Sequence, residues 1–257
     1  MKIIIAIKQV PARDSQLRIR SSGTWIEDAD LTFEINEPDA YALEAGLQLK
    51  EQQGGEAVVI CAGPARAAQT IREALAKGAD RAIHIEEEKL DSFDPLATAK
   101  LLAAALRPEA PDLILTGLQS DDLGYGQTGV ILAELMGVPH ATIVMQVETT
   151  GSGIRVKREL EDGWFQNVEM PLPALLTIQS GISKLRYATL MGIKKAKTKE
   201  IKRLTAPELG IAASAPTIAV DRLYLPERTK RTQLFDGSPK EAAAKLAEKL
   251  KFEARVI

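Results

Sequence analysis

The chain has 257 residues, 45% of them hydrophobic and 26% charged, with a net charge of −2. These values describe a soluble globular protein of one large or two small domains, with no global attraction for nucleic acid. Aromatics at 4% offer few base-stacking platforms, and the single cysteine, Cys61, excludes a disulfide framework, a zinc cluster or an iron–sulfur site.

The N-terminal run Ile3 to Ile7 is apolar and rich in β-branched residues, the pattern of a strand buried on both faces. Held between Lys2 and Lys8, it is too short for a signal-peptide core. No apolar run approaches the roughly 18 residues of a membrane span. A cytoplasmic protein without direct membrane insertion is therefore expected. Arg18 to Ile26 makes a short excursion around Ser21-Ser22-Gly23. Asn36-Glu37-Pro38 opens a helix with Pro in its first turn, and Ala42, Ala45, Gly46 and Leu49 share one face. Ala57 to Ala62 is the next strand, with Cys61 a buried thiol in it. A helix carrying Ala68, Ile71, Ala74 and Leu75 follows and ends at Gly78. Ala82 to Ile85 is a short strand. Asp94-Pro95 starts a helix that runs to about Leu106, Leu113 to Thr116 is a fourth strand, and a helix from about Gln127 ends at Met136. Strands separated by helices of this length predict an α/β fold: an open, mostly parallel sheet flanked by helices, Rossmann-like.

Beyond Pro139 the texture changes. Ala141 to Val147, Ile154 to Glu159, Trp164 to Glu169 and Ala174 to Ile178 read as strands, the middle two as a hairpin around Glu161-Asp162-Gly163. From Ile201 to Pro226 an extended arm is expected. Ser238-Pro239-Lys240-Glu241 is a capping box that opens a terminal helix with Ala243, Leu246, Ala247 and Leu250 on one face. Such a short helix needs a surface to lie on. The division expected is a nucleotide-binding α/β domain over 1–204 and a C-terminal arm and helix over 205–257.

Two segments carry the functional signal. Gly117 to Gly129 follows a strand and opens a helix. Gly124, Gly126 and Gly129 allow close backbone approach, and Gln127, Thr128 and Gly129 fall in the helix's first turn, where free N–H groups and the positive dipole end favour a phosphate. Asp121-Asp122 is the one acidic pair in this loop, suited to ribose hydroxyls or Mg²⁺. An ordinary Gly-rich turn before a helix is the competing reading. Gly124 to Gly129 spells Gly-x-Gly-x-x-Gly, but after the fourth strand rather than the first, and no Gly-x-x-x-x-Gly-Lys-Ser/Thr is present. His84 and His140 lack a nucleophile elbow or a second metal ligand, so no catalytic or metal-ligating residue is assigned.

The second segment is Arg186 to Lys199. Leu190, Met191 and Ile193 surround a Gly, and from Lys184 to Arg203 there are eight Lys or Arg against one acid, Glu200. An apolar tip on a basic stem suits docking, the tip burying in a partner while the charges steer approach. A solvated basic face is the plain alternative. A nucleic-acid patch over Lys194 to Arg203 is disfavoured by the absence of interleaved aromatics there and by the near-neutral chain.

Over residues 1 to 204 the chain resembles the electron transfer flavoprotein beta subunit. The matching segments come in the family's order: Ile-Ala-Ile-Lys-Gln-Val-Pro (5–11), Asn-Glu-Pro-Asp (36–39), Ala-Gly-Pro-Ala (62–65) and Ile-Arg-Glu-Ala-Leu-Ala-Lys-Gly-Ala-Asp-Arg (71–81). Gly-Gln-Thr-Gly (126–129), Arg-Glu-Leu-Glu-Asp-Gly (158–163) and Arg-Tyr-Ala-Thr-Leu (186–190) complete the series. The resemblance implies an electron carrier rather than an enzyme. It would be a heterodimer with an alpha subunit that holds redox-active FAD, taking electrons from acyl-CoA-type dehydrogenases of fatty acid oxidation to a quinone oxidoreductase or another acceptor. It implies a structural AMP in this subunit, contacted by Ala6, Asn36, Glu37, Pro38, Asp39, Ala62, Asp121, Asp122, Gly124, Gly126, Gln127, Thr128 and Gly129. It also implies a recognition loop over about 184–200, with Leu190 as its anchor and Arg186, Tyr187, Met191 and Ile193 beside it. Two departures stand out. Thr128-Gly129-Val130-Ile131-Leu132 replaces the Thr-Gly-Gln-Met-Thr of mitochondrial-type proteins, which removes two polar phosphate partners. A tyrosine near the flavin in some relatives aligns with Arg13. A bifurcating-type beta subunit with a second FAD is the alternative within the family, although its Asp-Gly-Asp-Thr-Ala-Gln-Val-Gly turn is not met. A stand-alone nucleotide-binding regulator is the alternative outside it.

Overall fold

The structure, a computed structural model, describes residues 1–88, 94–151, 153–211, 217–226 and 232–257. These fall into two compact units, Met1–Arg222 and Leu223–Ile257.

The first unit is built on a nine-stranded sheet. In chain order its strands are β1 (Lys2–Ala6), β4 (Glu56–Gly63), β5 (Arg81–Glu86), β6 (Leu113–Gly117), β7 (His140–Thr149), β8 (Gly153–Glu159), β9 (Phe165–Pro171), β10 (Ala174–Ile178) and β11 (Ile201–Leu204). A separate two-stranded ribbon pairs β2 (Gln9–Pro11) with β3 (Phe33–Ile35). The spatial order is β11-β5-β4-β1-β6-β10-β7-β8-β9, parallel from β11 to β7 and antiparallel through the β8–β9 hairpin.

Alternating residues of the central strands feed two cores. Ile3, Ile5, Val59 and Cys61 face α1 (Glu37–Gln53) and α2 (Ala67–Lys77), while Ile4, Val58 and Ile60 face α3 (Pro95–Leu106) and α4 (Thr128–Met136). Burial on both sides is why these strands are continuous apolar runs rather than alternating ones. The α/β architecture is as the sequence reads.

Two readings of the basic region are corrected. Leu190–Ala196, expected as a loop, forms the helix α5, opened by Thr189 as N-cap. Ile201–Leu204, expected to begin the extended arm, is β11, which pairs with β5 from Ala82 to Ile85 and closes one edge of the sheet. Both elements are too short for periodicity to reveal; neighbouring elements create them. Residues 212–216 of the expected arm lie outside the described residues. Where chain resumes, Asp94 fastens it: Oδ1 accepts from Ala97 N as the cap of α3, and Oδ2 accepts from the backbone N–H groups of Thr217 and Ile218 and from the Thr217 hydroxyl.

In the second unit α6 (Pro239–Lys249) starts with the expected capping box, Ser238 Oγ accepting from Glu241 N while the Glu241 carboxylate accepts from Ser238 N. None of its described residues is buried, and Leu225, Leu234, Phe252, Val256 and Ile257 are exposed.

Candidate functional site

The chain passes from β1 to β4 and β5 on one side, then returns to β6 on the other side of β1. Strand order therefore reverses between β1 and β6, and in an open α/β sheet the crevice beyond the carboxyl ends at such a switch point is where ligands sit. Ala6 ends β1, Ala62 lies at the end of β4, and α1 begins beside them.

The polar residues here mostly build the crevice. Asn36 reaches over the return loop: its Nδ2 donates to Gln119 O at 2.9 Å and its Oδ1 accepts from Asp121 N at 2.8 Å. Asp39 bridges the two diverging strands, accepting from Lys8 N at 2.7 Å and Gly117 N at 2.9 Å. Burial raises its pKa to about 7, against the opposing pull of the donors from Lys8, Asn36 and Gly117 and of the Lys8 charge. Asp121 accepts from Glu37 N, and Pro38 occupies the first turn of α1. Asp122 pairs with Lys8 Nζ at 2.6 Å. Burial acts to raise its pKa, but the charge and hydrogen bond of Lys8, with donors from Ser120 and Leu123, hold it below the usual carboxylate range. Arg13, set aside in the sequence, pairs with Glu37 on the rim.

What remains for a ligand is the start of α4. Gln127 is its N-cap, and no side chain caps it, so the N–H groups of its first turn lack intrahelical acceptors. Gly124 and Gly126, both at φ 64°, turn the loop into this helix through the left-handed region. Gly129 has a different task. A Cβ there would lie 2.6 Å from Thr116 Oγ1 and 2.8 Å from Thr177 Cγ2, so its bare Cα is what seats α4 against β6 and β10. An uncapped helix N-terminus at the switch point fits a phosphate. Lys8 and Ser120 escaped the sequence reading. The one available signal was position, since a polar residue just after a buried strand lands on the carboxyl edge of the sheet.

The docking candidates lie elsewhere, around α5. Tyr187 is 92% exposed, Leu190 81%, Met191 61% and Ile193 46%. Arg186 faces inward instead. Its guanidinium bonds both carboxylate oxygens of Glu44 and pairs with Glu51, both on α1. The two sets of candidate residues thus lie on different elements of one scaffold. Among the described residues there is no cluster of three His, Cys, Asp or Glu able to hold a metal. No helix of the described residues is long and apolar enough to cross a membrane.

The electron transfer flavoprotein domain matches residues 24–209. The chain is 36% identical to the electron transfer flavoprotein subunit beta of Methylophilus methylotrophus, covering 96% of this chain and 97% of that one. It is 37% identical to the same subunit of Bradyrhizobium diazoefficiens, with both chains covered in full. The human subunit is 31% identical over 96% of this chain and 97% of its own length. The chain belongs to the electron transfer flavoprotein family, among its beta subunits.

Proposed function

We propose that this chain works as the beta half of a heterodimeric electron carrier, binding AMP at the β1/β6 crevice and docking dehydrogenases through α5. The observation that carries the reading is the exposed apolar trio Leu190, Met191 and Ile193, held outward on a folded helix with basic residues behind it. Transient redox partners need fast association and release, which a small anchor with steering charges provides. The family match supports electron transfer as the task. An alpha-type partner contributes the flavin, whose chemistry is the uptake and release of electrons; acyl-CoA-type dehydrogenases are the donors, and a quinone oxidoreductase or another acceptor takes the electrons on. The apolar residues left exposed in the C-terminal unit suit packing on that alpha partner, and the whole assembly suits the cytoplasm.

At the crevice this chain's residues bind and position, and none moves a proton or an electron. The first-turn N–H groups of α4 suit the phosphate of AMP, with Gln127 and Thr128 as flanking donors. Ala6 and Ala62 leave room at the strand ends, while Asn36 and Asp39 hold the walls.

Co-expression with the alpha-type protein encoded in the same genome tests the reading. The expected product is a yellow heterodimer that releases one AMP and one FAD on denaturation, in equal amounts. Two flavins and no AMP would replace this reading by the bifurcating one. A colourless chain purifying alone would overturn it in favour of a stand-alone nucleotide-binding protein.

A further inference from the structure

The docking trio is not on a flexible loop, and the reason lies in how α5 meets α2. Gly192 sits directly on the main chain of α2: a Cβ at this position would lie 2.2 Å from the Ala76 carbonyl oxygen. Any side chain here would push the helices apart. Thr189 Oγ1 accepts from Gly192 N at 3.0 Å, which fixes the same residue from the other side.

The two helices then exchange caps. Arg72 of α2 donates through Nη1 to the carbonyls of Ala196, the last residue of α5, at 2.5 Å, and of Lys199, just beyond it, at 2.9 Å. In return Lys199 Nζ donates to Leu75 O at 3.0 Å and to Ala79 O, at the end of α2. Each cation meets the negative end of the other helix, where free carbonyls concentrate. Ala196 is buried in the joint. Arg186 ties the segment to α1 at its other end. A helix of seven residues has little stability alone, yet here each end is anchored to the domain and the trio faces outward, with Lys194 and Lys195 exposed behind it.

We infer that Gly192 and Arg72 are positioning residues that hold Leu190, Met191 and Ile193 as a preformed knob, so that a partner meets ordered side chains rather than folding a loop around itself. This rests on the docking reading above. Preorganisation removes the ordering cost from association. Its loss raises the concentration needed for coupling and leaves the transfer step within the encounter complex largely intact.

The test uses the complete flavin-loaded heterodimer with an acyl-CoA dehydrogenase and its acyl-CoA, and compares wild type with Gly192→Ala, Arg72→Gln and Leu190→Ala. Arg72→Gln removes the caps without adding bulk, so it reports even where the alanine at 192 disturbs folding. The expected result is a KM for the flavoprotein raised about tenfold in Gly192→Ala and Arg72→Gln, with kcat within about twofold. Flavin absorbance and bound nucleotide stay unchanged, and hydrogen exchange over residues 189–199 speeds up. Wild-type KM in both variants, with Leu190→Ala impaired, overturns the positioning role and leaves the docking reading standing. Unchanged exchange over 189–199 in both variants overturns the locked knob directly. Wild-type coupling in Leu190→Ala removes the docking reading, and this inference falls with it.

Discussion

Arg186 and Glu44 form a two-pronged ion pair across 142 residues of sequence, Nε to Oε2 at 2.8 Å and Nη2 to Oε1 at 3.0 Å. The Glu44 side chain is only 5% exposed, on the inner part of α1. Burial acts to raise its pKa, but the Arg186 fork, together with Gln48, leaves it lowered. The pair therefore fixes the start of the 186–199 segment against α1.

Removing the cation leaves a nearly buried carboxylate unmatched. Arg186→Met is expected to cost about 1–3 kcal/mol, less than a fully buried pair because the guanidinium is partly solvated. Arg186→Lys keeps the charge but not the fork and should fall between. Urea denaturation of wild type, Arg186→Met, Glu44→Gln and the double variant Glu44→Gln/Arg186→Met gives the coupling; a coupling within about 0.3 kcal/mol of zero would show that the two residues do not act together.

Asp39 gives a pH signature. Its folded pKa, raised to about 7, lies above the unfolded value, so its contribution is fully present below about pH 4 and is lost as pH rises through 7. Melting temperature should decline from pH 5 to 8.5 in the wild type, and more steeply than in Asp39→Asn. At pH 5 the variant should be less stable by about 1–3 kcal/mol, because an amide NH₂ would face the Lys8 or Gly117 N–H. Parallel melting curves for the two proteins would contradict this.

Asp94 has the opposite sign. Burial acts to raise its pKa, but the Thr217 hydroxyl and the N–H groups of Ala97, Thr217 and Ile218 bring it down to about 2. Its stabilisation is present above the unfolded value near 4 and disappears as pH falls through 2. Asp94→Ala should lose about 1 kcal/mol as a missing helix cap and expose the chain around 217–222 to proteolysis. Acid titration by circular dichroism, with limited trypsin digestion at pH 8, checks both; equal digestion of both proteins would refute the fastening role.

Gly129→Ala tests the seating of α4. The added methyl meets Thr116 Oγ1 and Thr177 Cγ2, and overpacking of this kind costs about 1–3 kcal/mol. Bound nucleotide should fall in parallel as the helix N-terminus shifts. Adding Thr116→Ala should restore part of both, measured by thermal melts and by quantifying nucleotide released from purified protein. No recovery in the double variant would point to a cause other than this contact.

The sequence by itself determined the parallel sheet, because strands buried on both faces must be continuous apolar runs and the helices between them must show an apolar face. The Asp94-Pro95 start and the Ser238 capping box were legible for a similar reason: both are local chemistry, complete within four residues. So was the apolar character of 190–193, since composition is local too. Only the tertiary structure decided that this segment is a helix, for α5 is seven residues long and is folded by Arg72 and Ala76 more than a hundred positions away. It also decided that Ile201–Leu204 joins the sheet, an outcome that depends on β5 offering a free edge. At the crevice it separated engaged polar groups from open ones: Asn36, Asp39 and Asp122 bond to backbone or to Lys8 across 31 to 114 residues of sequence, while the first turn of α4 keeps its donors open. Residue type announces a hydrogen-bonding group, but its partner is fixed only by which strands the fold brings side by side.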